Sequence, residues 1–329
     1  PDIKKQCMIM NNNLFKTLFI PAVACLLGAC TESTGPDMEA GDDSLAIRFA
    51  GPAVTRAAID DADDMQTDGN SFSVWGSYTA VTGGTATSVF DAEKVTCLSG
   101  MWGYEGTRYW LPGNTYDFYA LYPSAETLGD AVSSVACTDG TFTVNGFDAT
   151  KGYDLMTAKK TGISVVAGQT PGAVALKFQH LLARLTFVAR SEGGNATVRS
   201  ISLEGLAVKG DYDDSAETAW NNTTTGKVSV KKETNVTPAG NANVSGDLLL
   251  IPQSLAGGVK LTVIYDTDAE TEKSASYTLP ATTVSMWEAA NHYRYSFTLT
   301  GGGYIVFDPP TVNAWSDAIG GNVTIDVTQ

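Results

Sequence analysis

The sequence predicts an all-β protein, and three observations carry this prediction. Apolar residues recur at every second position in several segments, which is the period of a strand with one buried face. Clusters of Gly, Asn, Asp and Thr interrupt these segments at short intervals, as is typical of tight connections between strands. No stretch carries a sustained apolar stripe at the helical period. For 329 residues this pattern favours two sandwiches or barrels of antiparallel strands.

The start of the chain is predicted to be an export leader, which has to be set aside before the fold is considered. Met8 or Met10 is the expected initiator, a polar region with Lys16 follows, and 18–27 form an apolar run. That run is shorter than the ~20 residues that a membrane-spanning helix needs. It ends in Leu-Gly-Ala before Cys30, which fits a lipobox, so lipidation at Cys30 is predicted. A soluble secretory leader with an unrelated cysteine is the alternative.

The residues after the lipidated cysteine are expected to form a flexible tether. The stretch 31–37 is polar and turn-rich, and such segments behave as loose linkers. Each buried acyl methylene contributes about 0.8 kcal/mol, so the lipid chains alone would hold the protein on a membrane. No later run is both long and apolar enough to cross one. The sequence therefore predicts a peripheral, lipid-mediated anchor.

The amino-acid composition disfavours nucleic-acid binding and indicates a folded globular protein. With 36 acidic and 21 basic residues the net charge is -15, so phosphate backbones would repel the chain and nucleic-acid binding is disfavoured. A hydrophobic content of 43% is ample for a packed core and argues against disorder. Beyond the leader two cysteines remain, Cys97 and Cys137. They could pair in an oxidising envelope or stay free, because sequence does not show proximity.

The strand pattern is present in both halves of the chain. The most loop-like interval near the middle is 162–172, rich in Gly with Pro171 near its end, so a first sandwich over 57–168 and a second over 169–329 are predicted. The clearest alternating strands are Tyr116, Phe118, Ala120 and Tyr122; Leu185 and Phe187; Val259, Leu261, Val263 and Tyr265; and Tyr293, Tyr295, Phe297 and Leu299. Pro123 is expected to end the first of them.

The search for catalytic chemistry finds no site. His180 and His292 are far apart in sequence with no ligand at metal-binding spacing, and both are interpreted as strand histidines. The acidic run at 60–68 is interpreted as a solvated linker, because an EF-hand loop in register with Gly69 would need its closing Glu where Trp75 stands. The run at 211–214 is interpreted in the same way. No nucleophile elbow or phosphate-binding glycine loop is present. No enzyme activity, metal or cofactor is predicted, although a hydrolase with an unrecognised carboxylate pair is left open.

One aromatic cluster allows a second interpretation. Trp102, Tyr104, Tyr109 and Trp110 could form a stacking platform on a surface-anchored lipoprotein that binds a glycan or a peptide. Aromatic residues in strands are more often part of the core. The burial of these four side chains would separate the two interpretations.

Several motifs, taken in order, resemble the fimbrillin family, the structural subunits of bacterial type V pili. They extend over nearly the whole chain, and each alone is a weak signal. They are the lipobox with Cys30, VTRAA at 54–58, FSVWG at 72–76, Trp110, YDFYALYP at 116–123, DLMTA at 154–158, FQHLLARLTF at 178–187, LLIPQ at 249–253, Tyr293, Tyr295 and Trp315.

The resemblance implies a fold, a maturation route and a location. The fold would be two transthyretin-like antiparallel β-sandwich domains in tandem. The lipoprotein would reach the surface of the outer membrane, and an arginine-specific protease would cut between Arg56 and Ala57, removing residues 31–56 together with the lipid. The strand removed would carry Leu45, Ile47 and Phe49 in alternation. Its partners would be other fimbrial subunits, identical or different, in a fimbrium that supports adhesion to host or bacterial surfaces.

A sandwich that lacks one strand has an apolar groove with unpaired backbone groups, which another chain can fill by strand addition. The C-terminus offers a donor in which Val323, Ile325 and Val327 alternate with polar residues. Burying three such side chains contributes about 5 to 9 kcal/mol, less than the ~12 kcal/mol of nanomolar binding. Residues 304–307 could add a second donated strand. The alternative is a final hairpin that packs in its own domain.

Overall fold

The computed structural model describes residues 43–50 and 65–315, and within these ranges strands dominate the regular structure. A short α-helix, α1 (Ala125–Leu128), follows Ser124, whose side chain accepts a hydrogen bond from the Thr127 amide. Short 3-10 turns lie at Asp43–Leu45, Gly129–Ala131 and Ala149–Lys151. None of the helices described is long and apolar enough to span a membrane. The all-β prediction is confirmed.

The first large sheet contains six antiparallel strands in the order β10-β8-β5-β2-β3-β4. The predicted strand that ends before Pro123 forms within it. The bounds are β2 (Ser71–Ala80), β3 (Thr87–Leu98), β4 (Met101–Gly103), β5 (Asn114–Tyr122), β8 (Met156–Val165) and β10 (Gln179–His180). A separate parallel pair, β1 (Phe49–Ala50) and β9 (Val174–Ala175), packs against the core of this sheet.

The second and third large sheets enclose another core. The second has the order β17-β16-β12-β7-β6, with β13 also paired to β12. Its strands are β6 (Ser134–Thr138), β7 (Thr141–Asp148), β12 (Ala196–Asp213), β13 (Trp220–Val236), β16 (Val259–Thr267) and β17 (Lys273–Leu279). The third consists of β11 (Ala183–Ser191), β14 (Ala242–Leu250), β19 (Asn291–Leu299), β20 (Ile305–Phe307) and β21 (Thr311–Ala314). A short pair, β15 (Gln253–Ser254) and β18 (Met286–Trp287), completes the described strands.

One long pair in the third sheet is parallel. β11 runs alongside β19 from Arg184 opposite His292 to Ser191 opposite Leu299. Parallel neighbours need a long crossover connection, and here the chain passes through the second sheet between the two strands. The other ladders of the large sheets are antiparallel, so the antiparallel description holds with this pair as the exception.

Three apolar clusters form the interior. One is the core of the first sheet, with Phe72, Phe90 and Phe118. Another lies between the second and third sheets and includes the predicted alternating residues of β16 and β19. A third joins them, because Trp75 and Leu121 on the opposite face of the first sheet pack with residues of β7 and β12. The central strands β2 and β5 therefore carry buried residues on both faces of the first sheet.

The chain crosses between these cores more than once. Val174, Leu176 and Phe178 follow the interval 162–172 but belong to the core of the first sheet. β6 and β7 precede that interval and pair in the second sheet, where β7 joins β12. The division at 168/169 remains a prediction about domains. The division was predicted from a loop-rich interval. Such an interval indicates local chain flexibility, but it does not indicate which strand faces pack together.

Candidate functional site

The most informative site lies where residues 44–50, here called the N-terminal segment, pass through the first core. On one side the Ile47 amide donates to the Arg108 carbonyl at 2.7 Å, and the Trp110 amide donates to the Leu45 carbonyl at 2.8 Å. These bonds flank an antiparallel bridge between Ala46 and the residue before Trp110. One edge of the segment is thus bound to the irregular stretch before β5.

The other edge of the N-terminal segment is bound to β9. The Val174 amide donates to the Arg48 carbonyl at 2.8 Å, and Phe49 and Ala50 pair in parallel with Val174 and Ala175. The segment therefore sits between two other parts of the chain and completes the backbone hydrogen bonding of both.

Ile47, Arg48 and Phe49 of the N-terminal segment alternate as the sequence predicts, whereas Ala46 is buried beside Ile47 and breaks the alternation. Ile47 is 1% exposed and Phe49 is 4% exposed, whereas Arg48 between them faces outward. Leu45 is only half-buried because it belongs to a 3-10 turn, so the regular strand is shorter than the alternation suggests. The Phe49 ring makes edge contacts, with centroids 5.5 to 6.0 Å apart, to Phe72, Phe90, Tyr104 and Phe118.

Tyr104 and Arg108 close the groove around the N-terminal segment. The Tyr104 hydroxyl donates to the Ile47 carbonyl at 2.7 Å and accepts from the Arg108 amide at 3.2 Å. Burial raises the pKa of Tyr104, so the phenol stays protonated and can donate at neutral pH. The Arg108 guanidinium lies 4.8 Å from the Phe90 ring centroid and pairs with Glu93 at 2.5 Å.

The free energies of these contacts indicate that the N-terminal segment is firmly held. Burying Ile47 and Phe49 contributes about 1.5–3 kcal/mol each, and aromatic pairs add about 0.5–1.5 kcal/mol beyond area. If the segment left, the Val174 and Trp110 amides and the Arg108 carbonyl would lose their partners, and the Tyr104 hydroxyl would lose its acceptor. Such unsatisfied groups cost about 1–3 kcal/mol each when buried. The empty groove would therefore favour a replacement strand.

Several residues predicted from sequence lie outside the described ranges. They are the lipidation residue Cys30, the cleavage pair Arg56 and Ala57, and the donor residues Val323, Ile325 and Val327. The strand 304–307, in contrast, is described. Its β20 part pairs with β19 of the same chain, and Phe307 stacks on Tyr277 at 4.5 Å. In this structure that strand is packed in its own domain.

Sequence reasoning missed the residues that form the groove walls. Tyr104 and Arg108 stand in an irregular stretch, and Val174 belongs to a two-residue strand. No periodic signal exists in such short or irregular segments. These residues can be identified only from their backbone pairing with the N-terminal segment in the folded chain.

The two histidines are structural. His180 is buried, with Nδ1 3.1 Å from Asp154 Oδ1, and its ring stacks on Trp315 at 3.6 Å. His292 Nε2 lies 2.9 Å from the Thr186 hydroxyl. Within the described residues no group of three or more His, Cys, Asp or Glu side chains is arranged to hold a metal ion.

The acidic run at 211–214 was predicted as a loop but is in part strand, because Asp211 and Asp213 belong to β12. Residues 60–64 of the other run lie outside the described residues. The described carboxylates of both runs act as hydrogen-bond acceptors. Asp68 accepts from the Ser99 amide at 2.6 Å, and Asp211 accepts from the Gly146 amide at 2.7 Å. Asp214 accepts from the Phe142 amide at 2.9 Å and pairs with a lysine of β8. These contacts fasten turns and strands together.

The aromatic cluster does not form an exposed platform. Trp110 is 1% exposed, Trp102 and Tyr104 pack against the first core, and only Tyr109, at 41%, is exposed. The core interpretation of the cluster is confirmed. The two cysteines are free in the structure, Cys97 buried and Cys137 half-buried.

Comparison with known proteins finds one matching sequence family and several solved structures with a similar fold. The sequence model of a family described as fimbrillin-like matches residues 55–315. A fimbrial protein from Bacteroides vulgatus is 16% identical, with a TM-score of 0.58 over 83% of this chain and 100% of its own. A candidate cell adhesion protein from Bacteroides ovatus is 16% identical, with a TM-score of 0.55 over 82% of this chain and 97% of its own. No curated protein matches the chain. At these identities the solved structures establish similarity of fold.

Proposed function

The chain belongs to the fimbrillin-like family, and from this premise we propose that it is a structural subunit of a type V fimbria, exported as a lipoprotein, trimmed after Arg56 and polymerised by strand donation. The family consists of fimbrial structural proteins and implies a location in a cell-surface fimbrium. The outer membrane would hold the precursor through lipid on Cys30 until trimming releases it.

The observation that supports the proposal most directly is the position of the N-terminal segment in the groove of the first core. Residues 44–50 enter the first core as a separate piece of chain, hydrogen-bonded along both edges. They precede Arg56 in sequence, so a cut there would leave the segment held only by noncovalent contacts. An open groove exposed during export would be an aggregation template. The attached segment would keep the precursor monomeric.

Cleavage changes the competition for the groove. While attached, the segment has a high effective concentration that a strand from another molecule cannot match. After cleavage it becomes a free peptide on dissociation, and a donor that is fixed in a neighbouring subunit has the advantage. The proposed donor presents Val323, Ile325 and Val327 on one face, which matches the alternate burial of Ile47 and Phe49.

The size of the groove indicates that the donor needs further contacts. Phe49 fills a space between four aromatic rings, and an aliphatic side chain would fill less of it, leaving unused volume that weakens packing. A stable joint would therefore need backbone pairing along more than three residues. The subunit partner would be a second copy or a different fimbrial subunit.

The direct experiment is to compare the purified chain before and after treatment with an arginine-specific protease. We expect the untreated chain to remain monomeric, and the trimmed chain to form ladders on unboiled gels and fibres in electron micrographs. A trimmed product that starts at Ala57, has lost the N-terminal segment and stays monomeric at high concentration would reject the proposal.

A further inference from the structure

Three apolar side chains are exposed at one end of the first sheet. Val81 is 68% exposed, Leu111 is 46% exposed and Val166 is 53% exposed. Their loops are adjacent, because the Val81 amide donates to the Gly113 carbonyl at 3.0 Å and the Gly113 amide donates to the Val165 carbonyl at 2.8 Å. The three exposed side chains therefore belong to one end of the sheet, which we call the apolar end.

The chain around each of these side chains is uncharged. The stretches 81–90, 109–116 and 161–176 contain no Asp, Glu, Lys or Arg, in a chain in which 17% of the residues are charged. Moving a charged group from water into an apolar environment has a large free-energy cost. A surface built from uncharged loops avoids this cost, so the apolar end can lose water when it contacts an apolar phase.

The opposite end of the same sheet has a different character. β2 is 10 residues long, so its two ends lie about 30 Å apart at ~3.3 Å per residue. Leu98 and Met101 face each other at the far end and are 63% and 66% exposed. The Asp68 carboxylate lies beside them, because it accepts a hydrogen bond from the Ser99 amide at 2.6 Å. The far end therefore combines exposed apolar side chains with a charge.

The N-terminal segment enters the fold at the apolar end. The amide of Trp110, the residue before Leu111, donates to the Leu45 carbonyl at 2.8 Å. Residues 31–42, twelve in number, separate Cys30 from the first described residue of the segment. A chain of that length spans at most about 40 Å. A lipid on Cys30 would therefore hold this end of the first sheet close to a bilayer.

We propose that the apolar end lies on the lipid bilayer while the precursor is anchored, an inference that depends on the lipidation in the proposed function. Val81, Leu111 and Val166 would enter the interfacial layer, where apolar side chains are removed from water. Because the chain has a net charge of -15, a neutral lipid surface suits it better than an anionic one.

Two arguments favour the bilayer over a second copy of the chain. An interface between protein copies takes about 20–30 residues a side, whereas the apolar end offers three apolar side chains. A contact of this size is weak by itself, but a tether raises the effective concentration of the membrane at the apolar end. The proposed trimming would remove the tether, so the contact would be specific to the precursor.

The test uses the untrimmed chain with six histidines in place of residues 32–37, held on phosphatidylcholine vesicles that contain a nickel-chelating lipid. This tether replaces the lipid on Cys30, so the measurement does not depend on lipidation. The photoreactive residue benzoylphenylalanine replaces Val81 or Val166 in the test proteins and Leu98 or Met101 in the controls. After irradiation we expect at least fivefold more covalently attached phosphatidylcholine, measured by mass, at the first two positions.

A matched pair of charged variants tests the same contact. Leu111→Glu should reduce lipid attachment at position 166 at least fivefold, because its carboxylate would have to lose water. Leu98→Glu places the same charge at the far end and should leave the attachment unchanged. Both side chains are exposed, so both variants should keep the melting temperature of the parent, which separates loss of contact from loss of folding.

Four outcomes would overturn the proposal. They are no lipid attachment at positions 81 and 166, equal attachment at both ends of the sheet, attachment of a second protein chain in place of lipid, and attachment that persists in Leu111→Glu. Because lipidation and ladder formation are measured separately, none of these outcomes would contradict the proposed function.

Discussion

The Val174 amide donates a 2.8 Å hydrogen bond to the Arg48 carbonyl, which ties the N-terminal segment to a strand from a distant part of the chain. This bond, with those to Arg108 and Trp110 on the other edge, makes the segment a strand of the first core. Because the segment lies on the N-terminal side of Arg56, the proposed trimming would open the groove beneath it.

Lipidation is expected at one cysteine. Cys30→Ala should abolish incorporation of a clickable fatty acid and release the protein from membranes, because the thiol is the acceptor of the lipid. Cys25→Ala, within the apolar run of the leader, is the control and should still be labelled. Labelling of the Cys30→Ala protein would contradict the lipobox assignment.

Limited digestion of the folded precursor with an arginine-specific protease should cut first between Arg56 and Ala57. Arg48 is a poor site because its backbone is paired with β9, and proteases act on unpaired chain. N-terminal sequencing and mass of the product decide the position. Arg56→Gln should resist the cut, and Arg48→Gln should not. A first product that begins elsewhere would contradict the assignment of the maturation site.

Phe49→Ala should lower the unfolding free energy of the untrimmed chain by about 3–5 kcal/mol, because it empties a site enclosed by four aromatic rings. Val306→Ala, at a side chain that is 53% exposed, is the control and should change stability by less than about 0.5 kcal/mol. Denaturant unfolding measures both. Equal stability of the Phe49→Ala protein and the parent would mean that the groove is not held by this residue.

Assembly should depend on the C-terminal strand. Ile325→Asp in the trimmed chain should abolish ladders, since an unpaired carboxylate in an apolar groove costs several kcal/mol. Thr324→Asp carries the same charge on the opposite face of the strand and should still polymerise. Removing 322–329 should give a monomer that accepts a strand but cannot donate one, so mixing it with intact chains should shorten the ladders.

The same variants test the alternative of a strand packed in its own domain. In that case Ile325→Asp and the truncation would lower the melting temperature of the untrimmed monomer. A fall in stability, together with an absence of ladders from the trimmed parent, would reject strand donation.

Acid stability should depend on Asp148 at the end of β7. Burial favours a higher pKa for this carboxyl, but hydrogen bonds from Lys209 and Thr150 outweigh it and hold the pKa below its ordinary value. A depressed folded pKa gives stability that is complete above the unfolded pKa and is lost as pH falls through the folded one. Asp148→Asn should therefore lose less stability than the parent as pH falls below about 4. Parallel stability curves for the two proteins below about pH 4 would contradict the role of this ion pair.

Strand faces could be predicted from sequence because pleating is local. Tyr116, Phe118 and Ala120 alternate in the sequence and all belong to the core of the first sheet, as do Ile47 and Phe49 from the N-terminal segment. The side-chain period of a strand is set by the backbone of a few residues. The export leader, the tether and the donor pattern rest on the same kind of local information, and they stay predictions because they lie outside the described residues.

Only the tertiary structure decided which faces and edges meet. Three contacts of this kind join residues far apart in the chain. Trp75 and Leu121 pack toward β7 and β12, and β11 pairs in parallel with β19. Tyr104 and Val174 enclose the N-terminal segment. Backbone pairing energy is nearly independent of sequence, and apolar burial is not directional. The partners of a strand are therefore selected by the packing of the whole fold and not by any single segment.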